Sequence, residues 1–148
     1  MTIEYALGCL LLLVTAAAAL RDWQQRRIPN ILPLLLMAGG ALLLLLRFAS
    51  GEAPAQSAVQ ALAGLGLGAL VSLPGYGLGV MGAGDVKLLA SIGWVLSWPA
   101  AVVFLLLWAV AFALWCTVAL ITRERTRQPV APSVLLGHAG AVIALGWQ

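Results

Sequence analysis

Long unbroken apolar runs set the pattern of this chain, with neither strand-like alternation nor a narrow amphipathic stripe. They cover residues 3–20, 31–49, 57–73, 86–98, 100–121 and 131–147. Between them lie short polar or glycine-rich breaks: Arg21 to Asn30, Gly51 to Gln56, Pro74 to Asp85, Pro99, and the segment holding Arg123, Arg125 and Arg127. A helix crossing the hydrocarbon of a bilayer needs about 20 apolar residues at about 1.5 Å each. Five runs fit. The run 86–98 falls short, and crosses only if its start lies below the membrane surface or its helix continues through Pro99. The pattern predicts an all-α polytopic membrane protein with six transmembrane helices in one integral-membrane domain over residues 1–148. On the third run Gly64, Gly68 and Ser72 recur every four residues, a smooth stripe that lets another helix approach closely.

Composition fixes the solvent. With 63% hydrophobic and 9% charged residues and a mean hydropathy of +1.04, the chain cannot cover itself with a water-compatible surface. The net charge of +3 does not indicate nucleic acid, because the basic residues sit in small clusters beside apolar runs, as cytoplasmic loops facing anionic lipid do. The first run has no basic residue before it and is followed by Arg21, Arg26 and Arg27, so it reads as a retained span rather than a signal peptide. The positive-inside rule then places both termini outside and seven of the eight Lys and Arg inside, leaving Arg47 to snorkel at the far side. Cys9 and Cys116 lie far apart in apolar runs, so neither a disulfide framework nor a zinc site is indicated.

Against this background the acidic residues stand out. Asp85 lies in Met81-Gly82-Ala83-Gly84-Asp85-Val86-Lys87, after glycines at 75, 77, 79, 82 and 84 that predict irregular backbone lining a partly hydrated cleft. An ionisable residue in such a setting is a candidate functional group. Asp85 is placed at the start of the fourth helix, where the dipole favours a carboxylate. Asp22, the only other Asp, falls in the loop Arg21 to Asn30, where Pro29 breaks the chain and Asn30 suits the cap of the next helix. Both Asp residues fall on the cytoplasmic side. Two carboxylates meeting across a cleft share a proton, so that one activates water and the other donates a proton. On dipole grounds Asp22, after the end of a helix, is expected to be the protonated partner and Asp85 the ionised one.

Gly82-Ala83-Gly84-Asp85 with Val86-Lys87-Leu88 resembles the GxGD signature of intramembrane aspartyl proteases, and Asp22 with Arg27-Ile28-Pro29-Asn30 resembles the first-aspartate loop of the type IV prepilin peptidases. The resemblance runs through nearly the whole chain in order. It implies a membrane aspartic-type endopeptidase of the bacterial cytoplasmic membrane, cutting the basic leader from prepilins or prepilin-like subunits at the cytoplasmic face, with Asp22 and Asp85 catalytic and no metal or organic cofactor. Longer members of that family carry a segment with paired CxxC motifs and methylate the new N-terminus. No such motif occurs in this sequence, so the resemblance is to the short form associated with tight-adherence (Flp) pili, and methylation is not carried over. The presenilin-type proteases fit less well, since no Tyr-Asp precedes Pro74 and Pro132-Ser133-Val134 is not PAL.

Simpler roles stand beside these. Taken alone, Asp22 is an interfacial loop charge and Asp85 a helix cap. Gly82 and Gly84 permit the loop geometry, Pro29 and Asn30 aim Asp22, and Lys87 anchors its helix or positions a substrate carbonyl. His138 reads as a hydrogen-bonded packing residue. Trp23, Trp94, Trp98 and Trp147 suit an aromatic belt, Trp108 and Trp115 suit packing, and Glu124 is a solvated charge. The competing function is a membrane transporter or secretion-assembly subunit whose two Asp form an ion path.

Overall fold

A computed structural model of the protein describes residues 3–25, 28–51, 53–121 and 130–145. Six helices follow one another: α1 (Ile3–Gln25), α2 (Ile31–Ala49), α3 (Pro54–Gly77), α4 (Ala83–Leu96), α5 (Ala100–Ile121) and α6 (Ala131–Leu145). No strand occurs among the described residues. α1, α2, α3 and α5 are each long and apolar enough to cross a membrane, and α6 is a shorter apolar helix. Their large side chains point outward in number: Leu13, Leu34, Leu45, Leu70, Leu106, Leu114 and Ile143 are all exposed. An apolar exterior of this kind is stable only in lipid.

The 14 residues of α4 span about 21 Å, less than the roughly 30 Å of a bilayer core. The helix ends at Leu96 rather than continuing through the proline. Ser97 takes a positive φ of 59°, a cis bond joins Trp98 to Pro99, and α5 starts at Ala100. What α4 lacks in length it makes up in burial, with Leu88, Leu89, Ile92 and Val95 all in the core. Phe104 and Trp108 of α5 and Leu36 and Leu43 of α2 belong to the same core.

The small-residue stripe of α3 meets α4. Gly64 lies against the backbone of Gly93, and a methyl group on Gly68 would stand 2.5 Å from the Leu89 carbonyl oxygen and 2.9 Å from the Ala90 Cα. Two backbones in contact need glycine on the facing side. Ser72 is buried at the end of the stripe, its hydroxyl shared between the carbonyls of Gly68 (2.7 Å) and Ala69 (2.9 Å).

Two expectations about boundaries are corrected here. α3 does not stop before Pro74 but runs through it to Gly77. The glycine-rich stretch that follows is a tight, hydrogen-bonded reversal rather than irregular backbone. Gly79 has a φ of 72°, its N–H donates to the Tyr76 carbonyl, and the Val80 N–H donates to the Gly75 carbonyl. That is the pairing of a left-handed glycine helix stop. Met81 then folds over Gly75, whose missing side chain makes room for the sulfur.

Candidate active site

Asp85 occupies the first turn of α4, with Gly82 as the residue before the helix. Gly82 has no side chain to cap with, so its carbonyl takes the N–H groups of Asp85 (3.1 Å) and Val86 (3.3 Å). In return Asp85 Oδ2 accepts the Gly82 N–H at 2.7 Å. This is the carboxylate half of a capping box, and it holds the Asp85 side chain at the helix start. The residue is only 8% exposed.

Asp22 is equally enclosed, at 6% exposed, but its setting differs from the expected loop. α1 continues through Gln25, so Asp22 rides on the last turns of a helix. Its Oδ2 accepts the N–H of Ala131, the first residue of α6, at 3.0 Å. Residue 132 is proline and has no N–H, and the N–H groups of Ser133 and Val134 turn back to the Val130 carbonyl. Ala131 therefore presents the free donor at this helix start, and the carboxylate that meets it comes from a different helix. Asp22 thus stands at the C-terminal end of α1 and also meets the N-terminal end of α6, so two helix dipoles act on it in opposite directions, whereas Asp85 meets the N-terminal end of α4.

The segment after α1 is fastened to the start of α4. The side chain of Ile28 lies where a Cβ on Gly84 would stand, 3.2 Å from the Ile28 Cβ. One turn on, Lys87 Nζ donates to Asn30 Oδ1 at 3.1 Å. Two turns further along both helices, Trp94 Nε1 donates to the Met37 carbonyl at 3.1 Å, its ring set against Gly40. α2 and α4 thus run parallel in fixed register. The end of α1, the start of α4 and the start of α6 all lie at one end of the bundle.

A family model for type IV leader peptidases matches residues 9–117, nearly three quarters of the chain and both aspartates. The chain belongs to the type IV leader peptidase family. No curated protein matches it, and no solved structure does. Membership makes this a membrane-embedded protease of prepilin-like substrates. The match ends within α5, so α6 lies outside it.

In this leader peptidase the residues singled out from sequence take up distinct places. Gly82 and Asp85 bond to each other, Gly84 receives Ile28, and Lys87 bonds Asn30. Pro29 lies two residues before α2, its carbonyl accepting the Leu32 N–H at 3.1 Å. Asn30 makes no side-chain cap, contrary to expectation, because its carbonyl oxygen is held by Lys87. Trp94 is a packed hydrogen-bond donor rather than part of a belt, whereas Trp23 and Trp98 are exposed as a belt requires. Arg26, Arg27, Glu52, Arg123, Glu124, Arg125, Arg127 and Trp147 lie outside the described residues. Among those described, no three His, Cys, Asp or Glu gather as metal ligands.

Two contacts were missed from sequence. Ala131 contributes only a backbone N–H, which leaves no trace in residue type. Ile28, noted only as part of the Arg27-Ile28-Pro29-Asn30 motif, touches Gly84 through packing alone.

Proposed function

We propose that the protein is a two-aspartate endopeptidase of the short, Flp-associated kind, cutting the leader of prepilins or pseudopilins at the cytoplasmic membrane face. What supports this reading is the placement of the only two Asp side chains. Both are buried, both stand at one end of the bundle, and each is oriented by a backbone N–H at a helix start. A carboxylate with one oxygen held by an N–H has its second oxygen aimed by the same bond, which is how a general base is positioned.

In the proposed reaction one carboxylate takes a proton from water as the water attacks the scissile carbonyl. The other, protonated, gives its proton to the departing amine, and the C–N bond breaks. Gly82 and Gly84 shape the approach to Asp85, while Pro29, Asn30 and Lys87 lock the neighbouring loop onto α4. The substrate's hydrophobic segment stays in lipid beside the bundle, leaving its basic leader in the cytoplasm with the arginine clusters. A chain of six spans with both termini outside accommodates this, with α4 sunk among its neighbours.

The test is co-expression with a candidate Flp-type prepilin, followed by gel mobility. Wild type shortens the prepilin at its leader; Asp22→Asn and Asp85→Asn accumulate in the membrane and leave it full length. Cleavage persisting in either variant removes the two-aspartate mechanism.

A further inference from the structure

We propose that Thr15 and His138 are positioning residues that set α6 at the height where its first N–H meets the Asp22 carboxylate. This rests on the reading of Asp22 as a catalytic carboxylate. Thr15 Oγ1 and His138 Nδ1 lie 3.0 Å apart, both side chains fully buried. The Thr15 hydroxyl also reaches its own helix, 3.1 Å from the Leu11 carbonyl. When its one proton is given there, the imidazole Nδ1–H donates to the Thr15 oxygen.

The spacing carries the inference. Thr15 and Asp22 stand seven residues apart on α1, and His138 and Ala131 stand seven apart on α6. Seven residues make about two turns, so both polar contacts fall on one face of each helix, as two rungs of an antiparallel pair. Apolar packing tolerates sliding along a helix axis, while a hydrogen bond between buried groups does not. The rest of α6 rests on α5 by such packing, with Gly137 against Trp108 and Gly140 against Leu107. A slip of one residue moves a helix by about 1.5 Å, enough to carry the Ala131 N–H out of reach of Asp22.

Packing alone does not account for the imidazole. His138 Nε2 is buried and has no partner among the described residues. An aliphatic side chain would avoid that desolvated nitrogen, and what it could not supply is the bond at Nδ1. α6 also lies outside the stretch matched by the family model, so this device is read from the structure alone.

The experiment uses the full chain in micelles and compares wild type with Thr15→Val, Thr15→Ser, His138→Leu and His138→Asn. Asn places both an N–H and an oxygen near the position of Nδ1, and Ser keeps the hydroxyl. Residue-resolved amide exchange is read at Ala131, with the Gly82 amide on α4 as internal reference, beside kcat and KM for prepilin cleavage. Thr15→Val and His138→Leu are expected to speed exchange at Ala131 about tenfold and lower kcat about tenfold, with KM and the Gly82 amide unchanged. Thr15→Ser and His138→Asn are expected to retain wild-type values.

Unchanged exchange at Ala131 in Thr15→Val overturns the proposal. So does equal loss in Thr15→Ser, which would show that shape rather than the hydroxyl matters, and so does loosening of Gly82 alongside Ala131. If wild type cuts no prepilin, the peptidase reading fails while the exchange measurement still decides the positioning role.

Discussion

Replacing Gly68 by Ala tests whether backbone contact between α3 and α4 holds the bundle. The new methyl would lie 2.5 Å from the Leu89 oxygen and 2.9 Å from the Ala90 Cα, whereas a carbon ordinarily approaches a carbonyl oxygen to about 3.3–3.6 Å. The helices must part by about 0.8–1 Å, a gap that forfeits roughly a quarter to a half of each lost dispersion contact. Overpacking of this kind costs about 1–3 kcal/mol. Backbone on both sides leaves no side chain to swing away, so the upper half of that range applies. Against it stands the gain of about 0.5–1 kcal/mol when a helical glycine becomes alanine. Gly66→Ala isolates that gain, since Gly66 is on the same helix and nothing stands within 4 Å of the added methyl. We therefore expect Gly68→Ala to destabilise by about 1–2.5 kcal/mol and Gly66→Ala to stabilise by about 0.5–1 kcal/mol. Denaturation from micelles by added SDS, followed by tryptophan fluorescence, measures both. Equal stabilities for the two variants, or Gly66→Ala the weaker, would refute the argument.

Other outcomes follow from individual contacts. Asp22→Asn and Asp85→Asn keep an oxygen for the Ala131 and Gly82 N–H groups, so both should fold while kcat falls by about 10²–10⁴-fold in the cleavage assay. Lys87→Met and Asn30→Ala each remove the same exposed bond; in a double-mutant cycle on kcat/KM the pair should couple by about 0.5–1 kcal/mol, and strict additivity would show the bond to be idle. Trp94→Phe removes the indole donor from the Met37 carbonyl, which keeps its partner within α2, and should lower stability by about 0.5–1.5 kcal/mol in the same SDS titration, with cleavage still measurable.

Much of the architecture was legible because length and apolarity decide membrane helices. The break at Pro29, the close-packing stripe at Gly64, Gly68 and Ser72, and the place of Asp85 at the start of α4 all follow from residue type and spacing. Helix ends were less legible. α1 runs past Asp22 to Gln25 because Asp22 and its neighbours are not helix breakers. α3 runs past Pro74 even though the proline has no N–H for the Leu70 carbonyl, and it closes only with the bonds from Leu78 to Pro74 and from Gly79 to Tyr76. The side-chain fates of Asn30 and Trp94 depend on partners 57 residues away in sequence, Lys87 for the one and Met37 for the other. The meeting of Asp22 with Ala131 was hidden for a deeper reason: a backbone N–H is common to every residue but proline, so only the packing of α6 on α1 singles this one out.

The hydrogen bonds of this molecule divide its helices by mechanics. Lys87 to Asn30 and Trp94 to Met37 fasten α4 to α2, and the glycine contacts fasten it to α3. Thr15 with His138 and Asp22 with Ala131 fasten α1 to α6. Each aspartate is thus held by a different pair of helices, and the pairs meet through one shared core in which Leu11 of α1 packs against Gly39 of α2; the spacing of the two carboxylates is set by how that seam packs.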